Sequence, residues 1–301
     1  MTKLSICVVL VLMAHSFAQS TRPKITAIDH VDFYTTSPDA NQKLYAIVLG
    51  LATAQPVESG QKQRYLVGSQ WVGYSAAPDA NPTNRLDHVA FRTEDADGLR
   101  KYLAAKGVKT PNSVDKWKDG AVSFMVKDPE GNSIEFVQPA KSPVPTTGNA
   151  DPVSRRMIHA GFIVHDRAAQ DRFYRDILGF RPYWYGGMHP ERTDWVALQV
   201  PDGTDWLEYM LNIKPDADLR TTGVMNHISL GVNDMNAAQS KLESHGWQSS
   251  ANEHSQIGKD GKLQLNVFDP DLTRIELMEF RPVDKPCCSE FTGPHPTENE
   301  Q

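Results

Sequence analysis

Four stretches of this chain repeat one pattern, and the repetition constrains the fold more than any composition figure does. AIDHVDFYTT (27–36), RLDHVAFRTE (85–94), RMIHAGFIVH (156–165) and VMNHISLGVN (224–233) each carry a histidine followed, one and three residues later, by apolar side chains. These pairs are Val31 and Phe33, Val89 and Phe91, Ala160 and Phe162, and Ile228 and Leu230. Alternate residues of a strand share a face, so the apolar pairs point into a core while His30, His88, His159 and His227 point away from it. A helical pattern follows each strand and stops at Gly50, Gly107, Gly179 or Gly246, 19 or 20 residues after its histidine. Glycine just past a last turn supplies the left-handed residue that ends a helix at low cost. Strand-like runs with turn signals such as Pro129-Glu130-Gly131 and Pro201-Asp202-Gly203 complete each unit. The repeating unit is therefore a strand, a helix and about three more strands, present four times, which makes the fold class α+β.

The 301 residues accommodate two domains. A proline-rich linker at 140–155 separates units one and two (25–139) from units three and four (156–282), and a polar tail occupies 283–301. The linker favours pairing unit one with two and three with four over the crossed pairing of one with four and two with three. Residues 1–18 have a basic start at Lys3, an apolar stretch and small residues at Ser16 and Ala18, the pattern of a secretory signal. Export to the periplasm or medium is the expectation, with no membrane span after cleavage. Cleavage would remove Cys7 and leave Cys287 and Cys288. Adjacent cysteines bridge each other only with strain, so the tail is expected to be inert and partly disordered. A net charge of −6 and the lack of a Lys/Arg stripe argue against a nucleic-acid partner. A small-molecule substrate is the expected partner, and a homodimer a further expectation.

The segments VKDPEGNSIEFVQP (126–139) and NVFDPDLTRIELMEF (266–280) echo each other, each with a glutamate six residues after proline: Glu135 and Glu276. Together with the strand histidines, the last-strand positions give His159, Glu208, His227 and Glu276 in one half. The other half gives His30, Gly73, His88 and Glu135, with glycine in place of one acid. Imidazoles and carboxylates converging in a cup suit Fe, Ni, Zn, Co or Mn better than Ca. One such ion is expected in the C-terminal half, and a second if His30, His88 and Glu135 also hold one. The segment 183–195 is expected over the C-terminal cup, with Tyr183, Tyr185 and Trp195 stacking a planar substrate and Arg192 facing a carboxylate. His189 and His254 read as solvated loop histidines.

This arrangement resembles the vicinal oxygen chelate superfamily, which includes glyoxalase I, extradiol dioxygenases, and the fosfomycin and bleomycin resistance proteins. The resemblance covers 25–282 and is carried most specifically by KLYAIVLGL (43–51), DPEGNSIEF (128–136) and RFYRDILGF (172–180). It implies four βαβββ modules paired into two glyoxalase/bleomycin-resistance/dioxygenase-type domains. It also implies a metal that acts as Lewis acid and template for two adjacent substrate oxygens. Glyoxalase I-like members order their ligands His/Gln, Glu, His, Glu, as His159, Glu208, His227 and Glu276 do. In that reading the chain is a metal-dependent lyase or isomerase, with Glu208 or Glu276 as the catalytic base. Extradiol dioxygenases use two histidines and a glutamate, which His159, His227 and Glu276, or His30, His88 and Glu135, would supply to Fe(II). They add a tyrosine ten residues before the glutamate, where this chain has Asn266 and Met125. A non-catalytic binding protein of the resistance type is the third alternative.

Overall fold

The alternating pattern of AIDHVDFYTT continues without interruption into an eleven-residue strand, β1 (Ile25–Thr35). In this computed structural model, residues 21–54, 63–78, 83–142, 146–147, 150–249 and 253–299 are described; the signal-like segment 1–18 lies outside them. After β1 come α1 (Pro38–Gln42), β2 (Ala52–Ala54), β3 (Gln63–Val67) and β4 (Gln70–Ala76). The second unit contributes β5 (Leu86–Thr93), α2 (Ala96–Ala105), β6 (Asp115–Lys116), β7 (Val122–Lys127) and β8 (Ser133–Gln138). A two-residue strand in the linker, β9 (Thr146–Thr147), pairs with β2. All nine strands form one sheet in the order β6-β7-β8-β5-β1-β4-β3-β2-β9.

The second half repeats this plan with β10 (Met157–Ile163), α3 (Arg167–Asp171), β11 (Arg181–Gly186), β12 (Trp195–Gln199) and β13 (Trp206–Met210). A short helix α4 (Leu219–Met225), β14 (His227–Val232), α5 (Met235–Ser244), β15 (Gln256–Ile257), β16 (Leu263–Phe268) and β17 (Arg274–Glu279) follow. The order β11-β12-β13-β10-β14-β17-β16-β15 settles the pairing: unit one joins two, and three joins four.

The four terminating glycines all take positive φ, from +66° at Gly50 to +91° at Gly246. Asp95, Asp166 and Asp234 cap the N-termini of α2, α3 and α5 by accepting from Gly98, Ala169 and Ala237 N–H. Each such cap is worth roughly 1 kcal/mol. Ser37 precedes Pro38 without making a side-chain cap. Both α1 and α3 run on into wide π-helical turns, Lys43–Val48 and Arg172–Ile177, where Leu49 N–H reaches Leu44 O and Leu178 N–H reaches Phe173 O.

One hydrophobic core runs through both halves, joining Val31, Phe33 and Phe91 to Phe162, Phe180 and Leu230. The echoed Asp-Pro turns stitch the seam. Asp128 receives Glu130 and Asn132 N–H within its own turn and Gln170 Nε2 (3.0 Å) and Tyr174 Oη (3.3 Å) from the other half. Asp269 likewise receives Asp271 and Thr273 N–H and, across the seam, Tyr74 Oη at 3.0 Å. Gln70 reaches over to donate to Met157 O and accept from Met157 N–H.

The tail corrects the sequence expectation. Residues 283–299 lie along the C-terminal sheet, with Thr292 N–H donating to Tyr183 O, Trp184 Nε1 to Cys287 O, and Phe291 packed on Tyr183 and Trp184. Cys287 and Cys288 are bridged to each other. Phe291 covers an aromatic wall, and Arg156 Nη1 and Gln199 Nε2 donate to Thr297 O and Pro294 O, contacts that the polar composition of the tail does not reveal.

Candidate metal centres and cavity

Each half gathers its chemistry on the face of the sheet away from the core. In the C-terminal cup, β10 supplies His159, β13 Glu208, β14 His227 and β17 Glu276. The two Nε2 atoms stand 3.0 Å apart. Glu276 lies 3.4 Å from His159, and Glu208 3.5 Å from His227 and 3.8 Å from His159. Met225 O can only accept, so His227 carries its proton on Nδ1 and turns the Nε2 lone pair inward. Gly161 makes the space, since a Cβ there would come within 2.1 Å of the His227 ring.

In the N-terminal cup, His30, His88 and Glu135 come together as expected, with Nε2 to Nε2 at 3.0 Å and Glu135 Oε2 3.2 Å from each. A residue the motif search missed, Asp32, completes the group, its Oδ2 3.8 Å from His88 Nε2. It lies two residues after His30, on the same face of β1, so alternation itself was the available signal. In the parallel register of β1 and β4, Asp32 sits beside Gly73. In the corresponding register of β10 and β13, Gly161 sits beside Glu208. Acid and glycine have traded strands.

Both donor sets fit a divalent ion. Ligands about 2.1 Å from a shared centre and at right angles to it stand roughly 3.0 Å apart, close to the separations found here. The surroundings differ. In the C-terminal cup Arg274 Nη2 donates to His227 Nε2 at 2.7 Å, so the guanidinium holds the nitrogen a metal would need. Burial lowers His159, and it pushes His227 down to about 3 with help from Arg274. Burial also raises Glu276 and pushes Glu208 up to about 7. In the N-terminal cup, burial alone would lower His88, but hydrogen bonds to Asp87 and Glu135 and the charge of Asp32 outweigh it and lift His88 to about 10. Burial works to raise Glu135 too, yet the bonds to His30 and His88 hold it well below the usual carboxylate range.

The C-terminal cup opens into a cavity of about 310 Å³ walled by Tyr183, Trp195, Trp206, Phe291, Arg274 and the two glutamates, among others. Tyr183 and Trp195 therefore lie where the sequence placed them. Tyr185 points to the other side of β11, 47% exposed, and Arg192 is held by Asp194 (Nε to Oδ1 2.7 Å); neither is in the lining. Arg274 is the arginine that reaches the cavity, two residues before Glu276 and so on its face of β17. Behind the wall lies Lys262, fully buried, its Nζ over the rings of Trp206 (4.6 Å) and Phe291 (5.3 Å). Among the described residues this ammonium makes no hydrogen bond. Burial lowers it to about 8 despite Asp260 nearby.

A family model for the Glyoxalase/Bleomycin resistance protein/Dioxygenase superfamily matches residues 27–136 and again 156–277. The chain belongs to this superfamily. Within it, the fold is similar to that of the Mn(II)-bound glyoxalase from Novosphingobium aromaticivorans, with 18% identity over 85% of this chain and 83% of the other, at a TM-score of 0.63. A variant of homoprotocatechuate 2,3-dioxygenase from Brevibacterium fuscum is similar at 18% identity over 91% of this chain and 74% of the other, TM-score 0.65. A fusion of a xylose isomerase-like TIM barrel with a 4-hydroxyphenylpyruvate dioxygenase aligns over 86% of this superfamily member and 50% of its own length, at 15% identity and a TM-score of 0.61. No protein of curated function matches the chain in sequence.

Proposed function

We propose that the chain is an exported, divalent-metal-dependent enzyme whose C-terminal cup moves a proton on a small, planar, anionic substrate bearing two adjacent oxygens. The observation that carries this reading is the convergence of His159, Glu208, His227 and Glu276, with Glu208, Glu276 and Arg274 lining the adjoining cavity. His159, His227 and Glu276, with or without Glu208, would hold the ion; bound there, it would supply Lewis acidity to the substrate oxygens. Arg274 is a cation lining the cavity, and an incoming carboxylate gives it a better partner than His227, freeing the imidazole nitrogen. Trp195, Trp206 and Tyr183 offer flat faces to a planar group. Lys262 adds positive potential behind them, in a medium where a charge acts strongly. Glu208 borders the cavity and is the carboxylate set to take a proton from a carbon next to a substrate oxygen. Export is supported by the signal-like pattern of 1–18.

Ring opening of a catechol by the extradiol route is the second reading. It is favoured by a compact set of two histidines and one glutamate, His159, His227 and Glu208, with Glu276 set against His159. It is weakened by Asn266, which faces Glu276 across β16 and β17 where a tyrosine is expected. The two readings separate in one experiment. Protein loaded in turn with Mn, Fe, Co, Ni and Zn is incubated in D₂O with mandelate, a 2-hydroxy acid carrying a flat phenyl ring, and with homoprotocatechuate, a catechol acid. Deuterium entering mandelate at the carbon bearing hydrogen, lost in Glu276→Gln and His227→Ala, is the expected result. Oxygen uptake with the catechol alone would move the assignment to the second reading. Binding of both acids without turnover on any metal would make the protein a non-catalytic binder.

A further inference from the structure

We propose that the N-terminal half carries a second small-molecule site, on the side of its sheet opposite the cup, which takes an uncharged carboxamide or lactam with a flat body. A cavity of about 540 Å³ lies there between α1, the end of β1 and strands β3 and β4, bordered by Thr35, Asn41, Gln63, Tyr65, Tyr74 and Ala76 among others. That volume falls within the roughly 300–1,000 Å³ of small-molecule sites. Phe33 and Thr35 alternate with His30 and Asp32 along β1, which puts this cavity on the core face and the cup on the other. The site does not rest on the reading of the C-terminal cup. Two of its residues are buried with polar atoms that nothing satisfies. Asn41 is 1% exposed, and among the described residues neither its amide nitrogen nor its carbonyl oxygen has a hydrogen-bond partner. The hydroxyl of Tyr65, a fully buried side chain, is likewise unpaired. Tyr74 and Thr35 are by contrast occupied, Tyr74 Oη donating to Asp269 Oδ2 at 3.0 Å and Thr35 Oγ1 to Asp271 Oδ2 at 2.6 Å.

The C-terminal half shows the same positions packed. Gln170 follows Asp166 as Asn41 follows Ser37, four residues after the first residue of the cap. The strand registers set Val196 in the place of Gln63, Leu198 in that of Tyr65, and Leu211 in that of Ala76. Gln170 Nε2 reaches Asp128 Oδ2 at 3.0 Å, Val196 and Leu198 belong to the core, and Leu211 packs against it. Asn41 is one methylene shorter and makes no such bond to Asp269, the counterpart of Asp128. A buried amide without partners destabilises a fold, and a bound group that pairs with it removes that penalty. The unpaired groups define the ligand. A primary amide presents donors and an acceptor side by side, and its complement is the amide edge of another molecule. The Tyr65 hydroxyl can give or take a third bond. The Tyr65 and Tyr74 rings, 6.4 Å apart and edge to face, offer flat apolar surface. No ionised side chain lines the cavity among the described residues. The acids behind it are satisfied, Asp271 by Arg85 at 3.3 Å and Asp269 by Asp271 and Thr273 N–H. A neutral ligand is therefore favoured over an anion or a cation.

The test uses the full chain, with benzamide, 2-pyridone and caprolactam as probes and calorimetry and Tm as readouts. Expected is one saturable equivalent of at least one probe, with a rise in Tm. Acetophenone, which matches benzamide in shape but has no N–H, should bind about threefold or more weaker than benzamide. Asn41→Leu, nearly isosteric, should weaken the amide by about tenfold or more, and Tyr65→Phe by about threefold. Ala76, exposed at the rim, copies its counterpart in Ala76→Leu, which should close the mouth and abolish binding. The Tm of ligand-free protein should hold or rise in Asn41→Leu, because the variant removes an unpaired buried amide; a role in the fold alone would lower it. No saturable binding of any probe overturns the proposal. So does binding unchanged in both Asn41→Leu and Ala76→Leu, since the amide then sits elsewhere, and so does a Tm that falls in both Asn41→Leu and Tyr65→Phe.

Discussion

The two cups share strand positions but differ in what surrounds them. In the N-terminal cup the histidines lean on Asp29 and Asp87, a second acid comes from β1, and His88 is held protonated well above neutrality in the absence of another cation. In the C-terminal cup the second acid comes from β13, Arg274 and Lys262 supply positive charge, and the imidazoles are held neutral. One environment balances its carboxylates with a protonated imidazole. The other brings its own cations and opens to a cavity. Duplicated units can therefore keep a ligand frame and diverge in affinity and access through residues one or two positions away from the ligands.

The largest test of that contrast is catalytic. Glu208→Gln should cut turnover by roughly 10²–10⁴-fold, the span of a lost acid–base group, whereas Glu135→Gln should change kcat little once folding is confirmed; equal losses would erase the division of roles. Next, Arg274→Met should tighten Co(II) binding in the C-terminal cup by about tenfold or more, because it frees His227 Nε2 from a charged donor worth ~1.5–3 kcal/mol, while weakening mandelate binding. Unchanged metal affinity would show that the guanidinium does not compete. Gly161→Ala should tell in the opposite direction, displacing the His227 ring and weakening that metal.

A smaller effect concerns pH. Burial raises Glu208 to about 7, and Asp260 and Asp269 to about 6, above their usual values near 4. An acid raised in the folded state contributes stability that is complete below its unfolded pKa and is lost as pH climbs through the folded one. The Tm of metal-free protein should accordingly fall between pH 4 and 7, with a shallower slope in Glu208→Gln. Asp29 and Glu135, depressed when folded, act with the opposite sign and lose their contribution only as pH drops below ~4. The same slope in Glu208→Gln as in wild type would mean that this carboxylate is not held neutral.

The four units, their glycine stops and most of the ligand set were legible because each is a local pattern: period two for strands, a fixed interval to glycine, an acid at one offset from Asp-Pro. Asp32 was hidden by the assumption that first strands supply one ligand each, although it lies in phase with His30. Arg274 and Lys262 were out of reach for a different reason. A charged residue in a strand pattern reads as solvent-facing, and only the assembled sheet shows Lys262 enclosed by Trp206, Tyr183 and Phe291. Tyr185 and Trp184 alternate along β11, and nothing local says which face meets the cavity until β12 and the tail are in place. The docking of the tail is not legible in its composition, since Phe291 and the carbonyls of Pro294 and Thr297 find partners built elsewhere.

The Asp-Pro turns have a consequence for how the molecule comes apart. Asp128 and Asp269 each serve their own turn and a tyrosine of the opposite half, over an apolar core that neither half completes alone. Melting should then be a single all-or-none event, and a fragment ending in the linker should not fold. An ion seated in either cup would raise the melting temperature of both, so the two sites communicate through the shared cost of unfolding, with no change of shape passing between them.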